Sequence, residues 1–195
     1  WELNAQGNAD YILADTYAKG MSRKWSQLLT DAYGSEISED ADEIADEIAK
    51  AYRKAYSESA YYSKNVQKGI NNKLKIGMSA IEAKIDEEQI ENLVEKLRDE
   101  ETTEEMKHHL LTDSALQPIA RKAVAETIRA NARVQSKAGL YAYVERDAGT
   151  GCCPWCSSMA GRYEFGAQPK DFFGLHDACV CTIDYKPSRY AKMGY

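Results

Sequence analysis

The segments Cys153-Pro154-Trp155-Cys156 and His176-Asp177-Ala178-Cys179-Val180-Cys181 decide how the last part of this chain folds. All five cysteines of the 195-residue sequence lie in this region, which begins at Cys152. An odd number of cysteines in one short stretch argues against a distributed disulfide framework and favours a metal site. Two thiolates three positions apart can converge on one ion, and a return segment can supply the remaining ligands.

The residue types and their spacing predict a structural zinc site. The candidate ligands are Cys153, Cys156, His176, Cys179 and Cys181. Cys153 and Cys156 are ligands in each of the alternatives. Two of the remaining three residues complete the site, so a site of four cysteines and a site of three cysteines with His176 are both feasible. In either set protein groups fill all four positions, which indicates structural rather than catalytic zinc. The binding energy of the metal would then stabilise a small module. Cys152 is interpreted as a spare thiol or a core residue.

Composition and charge indicate a folded chain with large solvated faces. Hydrophobic residues make up 44% of the sequence, and the formal net charge is −6. No apolar run approaches the roughly 18 residues of a membrane-spanning helix, so we expect no membrane association. No secretory signal is visible either. The charges balance after Ala138, so the helical part carries the excess of acid.

Apolar residues at three- and four-residue intervals predict helices ahead of the cysteines. The expected helices run from about Asn8 to Ala32, from a cap at Ser38 through Tyr56, from a cap at Asp86 to Arg98, and from Asp113 or Ser114 to Lys137. Gly69, Asn71-Asn72 and Gly77 argue against a continuous helix after Tyr56.

The pattern changes after Gly139, where aromatic and β-branched residues predict short strands. The expected strands are residues 140–146, 162–165 and 180–185. The fold class is therefore mainly α, of the α+β type. A helical body (1–138), whose later part packs on the module, is followed by a small β-rich zinc-binding module (139–195).

One stretch of the helical body is basic. This stretch contains a single acid, Glu126. Its cationic residues are Arg121, Lys122, Arg129, Arg133 and Lys137. Two interpretations stay open. This stripe could contact nucleic acid or an acidic partner, or it could pair with the acidic helices of the same chain.

Other uses of the cysteines fit the sequence less well. A dithiol redox site needs a βαβ context, which is absent. A zinc deaminase needs a glutamate two residues after its histidine ligand, whereas Ala178 occupies that position here. We therefore expect that the chain is not an enzyme.

The basic helix and the cysteine region together resemble a known family. The similar elements are Ile128 to Arg133, Lys137 to Leu140, Glu145-Arg146, the Cys153/Cys156 pair, Met159-Ala160-Gly161 with Tyr163, Pro169 with Asp171, His176-Asp177-x-Cys179-x-Cys181 and Tyr185. They resemble the tailed-phage minor capsid or head-morphogenesis proteins of the Mu F-like group over roughly residues 115–187.

This resemblance implies a structural protein of the virion. Such a protein would lie on the inner side of the capsid, after assembly in the host cytoplasm. The candidates for its partners are the portal protein, the major capsid or scaffolding protein, a second copy of itself and packaged DNA. Two other classes stay open: a metal-dependent enzyme or phage-borne toxin or nuclease, and a zinc-ribbon nucleic-acid-binding module. An open coordination position would indicate the former, and a steep salt dependence of binding the latter.

Overall fold

The computed structural model describes residues 10–34, 41–99 and 101–191. In these ranges the helices are α1 (Tyr11–Tyr33), α2 (Ala41–Leu74), α3 (Glu87–Arg98), α4 (Glu104–Leu110), α5 (Asp113–Lys137) and α6 (Pro154–Ser158). The strands are β1 (Leu140–Asp147), β2 (Gly161–Glu164) and β3 (Thr182–Ala191). The mainly helical α+β fold expected from the sequence is confirmed.

The three long helices α1, α2 and α5 pack against one another and form the helical body. Each buries most of the apolar residues that its periodicity places on one face, although Leu28 of α1 and Val134 of α5 are exposed. Small residues such as Ala120, Ala123 and Ala132 are buried along α5, and they let the neighbouring helices approach closely. The shorter α3 packs on α2. No helix in the described ranges is long and apolar enough to cross a bilayer.

Several helix boundaries agree with the sequence, and the structure decides one that the sequence leaves open. The Asp86 carboxylate accepts a hydrogen bond from the Gln89 N–H at 3.2 Å and caps α3, as expected. The expected cap Ser38 lies outside the described residues. The sequence left it open whether the helix continues or bends after Tyr56, and the structure shows that α2 continues through Gly69 to Leu74. Tertiary packing overrides the weak helix propensity there, since this end of α2 lies against α5.

An extended segment (78–86) connects α2 to α3 and lies along α5. The Asn131 side chain accepts the Ile81 N–H at 2.9 Å and donates to the Ile81 carbonyl at 2.8 Å. Thr127 accepts the Ala83 N–H at 3.3 Å. Side chains of α5 thus form the hydrogen bonds that a neighbouring strand would otherwise form with the backbone of this segment. The segment can therefore be partly buried although it belongs to no helix or sheet.

The strands form one antiparallel sheet in the order β2-β1-β3. Gly139, at φ 79°, follows the last turn of α5 and lets the chain reverse into β1. The expected third strand was bounded by Pro187, whereas β3 begins at Thr182 and continues past that proline. Pro187 is tolerated because β3 is an edge strand, where one side of the backbone has no ladder partner.

The sheet shares its hydrophobic core with the helices. Ala142 and Val144 of β1 and Tyr185 of β3 belong to the same buried cluster as the apolar residues of the long helices. Hydrogen bonds between buried polar side chains also join the helices to the sheet. Gln135 of α5 accepts the Tyr185 hydroxyl at 2.6 Å and donates to Asn71 of α2 at 3.0 Å. Helices and sheet therefore stabilise each other, and we expect them to unfold together.

The hydrogen bond from the Tyr11 hydroxyl to Gln67 gives a test of this shared core. Both residues are fully buried and their oxygen atoms are 2.7 Å apart. Tyr11→Phe leaves the Gln67 oxygen without this donor, so we expect a loss of about 1–3 kcal/mol in unfolding free energy. Chemical denaturation followed by helix and by tyrosine signals should show one transition. Tyr17→Phe, which removes a hydroxyl from a half-buried ring stacked on Tyr62, is the control and should change little. Two separate transitions would contradict a shared core.

Candidate functional site

The candidate ligands come from two segments that meet beside β1. Cys153 caps the short helix α6, and Pro154 occupies its first turn, where a missing N–H costs nothing. The Cys153 sulfur accepts the Cys156 N–H at 3.4 Å, which turns both sulfurs toward one point. The return segment 174–181 brings His176, Cys179 and Cys181 to the same point just before β3 begins. Of Cys153 and Cys156, only Cys156 is fully buried.

The five candidate ligands form two triangles that share Cys156. Cys153, Cys156 and His176 make one, and Cys156, Cys179 and Cys181 make the other. The His176 Nε2 atom lies 3.2 Å from each of the Cys153 and Cys156 sulfurs. The structure therefore brings together all five residues that the sequence predicts, and either triangle could hold a metal ion. Cys152 lies outside both triangles.

The spacing of the donor atoms fits a tetrahedral thiolate site. Zinc–sulfur bonds of about 2.3 Å place two ligand sulfurs about 3.7 Å apart. The Cys156 sulfur lies 3.6 Å from Cys179 and 3.7 Å from Cys181. The sulfurs of Cys179 and Cys181 are 2.8 Å apart, which is too close for two ligands of one ion, and neither sulfur lies within 4.8 Å of all three donor atoms of the first triangle. The donor types, thiolate and imidazole, are those that zinc prefers.

The surroundings of the four thiols among the candidate ligands shift their pKa values in different directions. The pKa of Cys153 is lowered, chiefly by the hydrogen bond from the Cys156 N–H, and that of Cys179 is lowered to about 4, chiefly by its hydrogen bond with Cys181. Burial raises the pKa of Cys156 to about 11. The pKa of Cys181 is raised, first by Cys179 and then by burial. The chain alone can thus stabilise part of the thiolate charge, and a divalent cation would stabilise the rest.

A buried arginine contacts the sulfurs directly. Arg146 on β1 is 1% exposed, and its Nη2 atom donates to the Cys156 sulfur at 3.1 Å and to the Cys181 sulfur at 3.0 Å. Its Nη1 atom donates to the carbonyls of Phe172 and Gly174. The guanidinium also lies over the Trp155 ring, with 5.4 Å between Cζ and the ring centroid. This side chain connects the sheet, the cysteines and the preceding loop.

A second buried arginine fixes the other side of the return segment. Arg121 on α5 is 2% exposed and donates to the backbone carbonyls of Cys179 and Cys181. Its Nε atom bonds Asp15 of α1 at 2.6 Å, and Asp15 also pairs with Lys19 at 2.7 Å. The expectation that Arg121 contributes to a basic surface is wrong, because this side chain is buried and bonds to groups of the same chain.

The remaining predicted basic residues lie on the outer side of α5. Lys122 bonds Asp86 at 3.1 Å and Arg129 bonds Glu126 at 3.2 Å, so these two are paired within the chain. Arg133 and Lys137 are exposed and, among the described residues, have no ion-pair partner. Pairing within the chain therefore accounts for Arg121, Lys122 and Arg129, and the charge without a partner among the described residues lies at the C-terminal end of the helix.

A polar cleft of about 390 Å³ adjoins this helix face. One wall carries Lys122 and Arg129 of α5, and the other carries Lys170 and Asp171 of the loop before the return segment. Lys170 is exposed, and no described residue pairs with it. The cleft extends the basic character of α5 onto the module.

Two residues of this region were missed by sequence reasoning. Arg146 occupies an inward position of β1, since it shares the parity of Ala142 and Val144. A charged residue at an inward strand position is a readable signal for a buried partner. Lys170 had no such signal, because only the folded loop brings it to α5.

Metal content offers the simplest test of the site. Cys156→Ser removes the sulfur that both triangles share, so we expect complete loss of bound zinc and a lower melting temperature, because metal binding contributes folding free energy. Elemental analysis and thermal unfolding of purified protein measure both effects. Cys152→Ser is the matched control and should keep the metal. An unchanged zinc content in Cys156→Ser would contradict the site.

The buried pair of Arg121 and Asp15 gives a second test. Arg121→Met leaves Asp15 buried without this cation, which should cost about 3–5 kcal/mol of unfolding free energy. Urea denaturation measures the loss. Arg129→Met on the same helix removes an exposed guanidinium paired only with Glu126 and should cost less than about 1 kcal/mol. Equal effects of the two substitutions would contradict the structural role of Arg121.

Comparison with known proteins gives one match. The family model for VG15 protein matches residues 4–195. No curated protein and no solved structure matches the chain. Since the family model covers nearly the whole sequence, the chain belongs to the VG15 protein family, a family of phage proteins.

Proposed function

We propose that this chain is a structural component of the phage head, a minor capsid or head-morphogenesis protein at the portal side of the capsid interior. Family membership supports a phage protein, and the resemblance of residues 115–187 to the Mu F-like group supports the more specific role. The portal protein and the major capsid or scaffolding protein are its proposed protein partners.

The observation that carries a structural role is the closure of the metal cluster. Two sets of three donors overlap at Cys156, so five protein groups are available for the four positions of one tetrahedral ion, and Cys156, Cys179 and Cys181 are buried. A catalytic zinc site keeps one position open for water or substrate. A groove of about 660 Å³ lined by His108, His109 and Asp177 lies nearby, but none of the five candidate ligands lines it. This arrangement favours zinc that holds the fold over zinc that reacts.

The free basic end of α5 supports contact with an anionic surface inside the capsid, and we propose packaged DNA as that surface. Arg133 and Lys137 are one helical turn apart and carry charges that the described part of the chain does not neutralise. Lys170 carries a further charge without a described partner, in the cleft that Lys122 and Arg129 also line. Lysine and arginine side chains in such a row can neutralise successive phosphates without reading sequence.

Charge reversal tests this proposal. Arg133→Glu/Lys137→Glu should weaken binding of the purified protein to double-stranded DNA at least tenfold and reduce the salt slope of the affinity, because fewer counterions are released. The matched control Lys54→Glu/Lys68→Glu reverses two exposed charges on α2 and carries the same change in net charge.

Assembly in infected cells separates the possible outcomes. If the α5 variant binds DNA weakly and its particles package less DNA, the proposal stands. If DNA binding is absent in the wild type but the α5 variant is not incorporated into particles, the basic end serves an acidic protein partner instead. Normal incorporation and packaging by the α5 variant would refute a role for this surface.

A further inference from the structure

We infer that Arg146 is the built-in counter-ion of the metal centre and that this centre binds zinc through three thiolates and His176. The inference rests on the metal centre described above and is independent of the role in the phage head. It concerns a residue that contacts the ligands and does not itself bind the ion.

The first step is the environment of the guanidinium. Arg146 is buried, and an arginine side chain keeps its positive charge in proteins. In the described part of the chain no carboxylate pairs with it, in contrast to Arg121, which has Asp15. A buried charge without a compensating charge costs several kcal/mol, so a stable fold needs an anion within reach.

The second step identifies that anion. The Nη2 atom of Arg146 lies 3.1 and 3.0 Å from the sulfurs of Cys156 and Cys181, and its other terminal nitrogen is occupied by carbonyls. Thiolate charge at these two sulfurs is therefore the only compensation that the contacts of Arg146 provide. Zinc keeps its cysteine ligands as thiolates, so metal binding supplies the anion that the arginine requires.

The third step is the sum of charges. Zinc with three thiolates and neutral histidine carries one negative charge, which Arg146 cancels. Four thiolates would leave one negative charge that Arg146 does not cancel, and Arg121, the other buried arginine, donates to Asp15 and to backbone carbonyls rather than to a sulfur. The distance of 2.8 Å between the Cys179 and Cys181 sulfurs agrees with a ligand set that contains only one of them, because two sulfurs bound to one ion lie about 3.7 Å apart. The contact from Arg146 favours Cys181 over Cys179 as the fourth ligand, and Cys179 is then the neutral thiol of this pair in the zinc-loaded protein.

Outer groups of this kind change metal affinity measurably, usually about 10- to 100-fold when removed. We expect Arg146→Met to weaken zinc binding by this factor, as measured by competition with a chelator of known affinity. Arg146→Lys keeps the charge but loses the forked geometry, and should lie between Met and wild type. The matched control is Arg162→Met, which removes an arginine that stacks on Tyr143 at 4.7 Å on the neighbouring strand. It should bind zinc like the wild type.

Thermal unfolding with and without zinc separates a counter-ion from a packing residue. A counter-ion is needed only when the thiolates are present, so Arg146→Met should lower the melting temperature of the zinc-loaded protein and leave that of the metal-free protein equal or higher. Equal losses in both states, or an unchanged zinc affinity in Arg146→Met, would overturn the inference. If Arg146→Met does not fold, the same two measurements on Arg146→Lys decide the question.

Single ligand substitutions test the assigned set. His176→Gln and Cys181→Ser should lose zinc, whereas Cys179→Ser should retain it. Retention by His176→Gln together with loss by both cysteine variants would show a four-cysteine site and overturn the charge argument. A wild-type chain that binds no zinc would refute the metal centre itself, which is a different failure from an unchanged Arg146→Met.

Discussion

Two buried arginines, one on each side of the return segment 174–181, are the constraint on which the rest of this structure depends. Arg121 holds the backbone of that segment through its carbonyls, and Arg146 holds the Cys181 sulfur. Each arginine is charged and each is buried, so each fixes the position of the groups that compensate it. The first ties the cysteines to the helical body, and the second ties them to the sheet.

This double attachment explains why the C-terminal region is more than a small zinc module added to a helical bundle. The sheet completes the core that α1, α2 and α5 leave open, and the polar contacts of Tyr185 and Gln135 continue the helical packing into β3. The candidate metal centre lies at the end of this shared core. In the role that we propose, it would fix the surface that α5 and the loop around Lys170 present together.

Much of the fold was readable from the sequence because it follows local rules. Helical periodicity and the cap at Asp86 predicted α3, and the cysteine spacing predicted which residues would meet. The features that the sequence missed or left open have non-local causes. The end of α2 is helical through Gly69 because of packing that no local pattern records. Arg121 looked like a surface residue because its partner Asp15 is 106 residues away in the sequence. The charge of a helix face can be read from a sequence, whereas its neutralisation depends on tertiary contacts.

The candidate ligands are close together in the sequence, whereas Arg121 and its partner Asp15 are far apart, and this difference has a consequence for the order of folding. The five candidate ligands are close in the sequence, so a metal ion can gather them by closing one short loop. Asp15 and Arg121, by contrast, meet only when the first and last long helices are already side by side. We therefore expect the loop of residues 153–181 to close around the metal ion early in folding and to pack against Arg121 late. Its contact with Arg121 would form only in chains whose long helices have already reached their native arrangement.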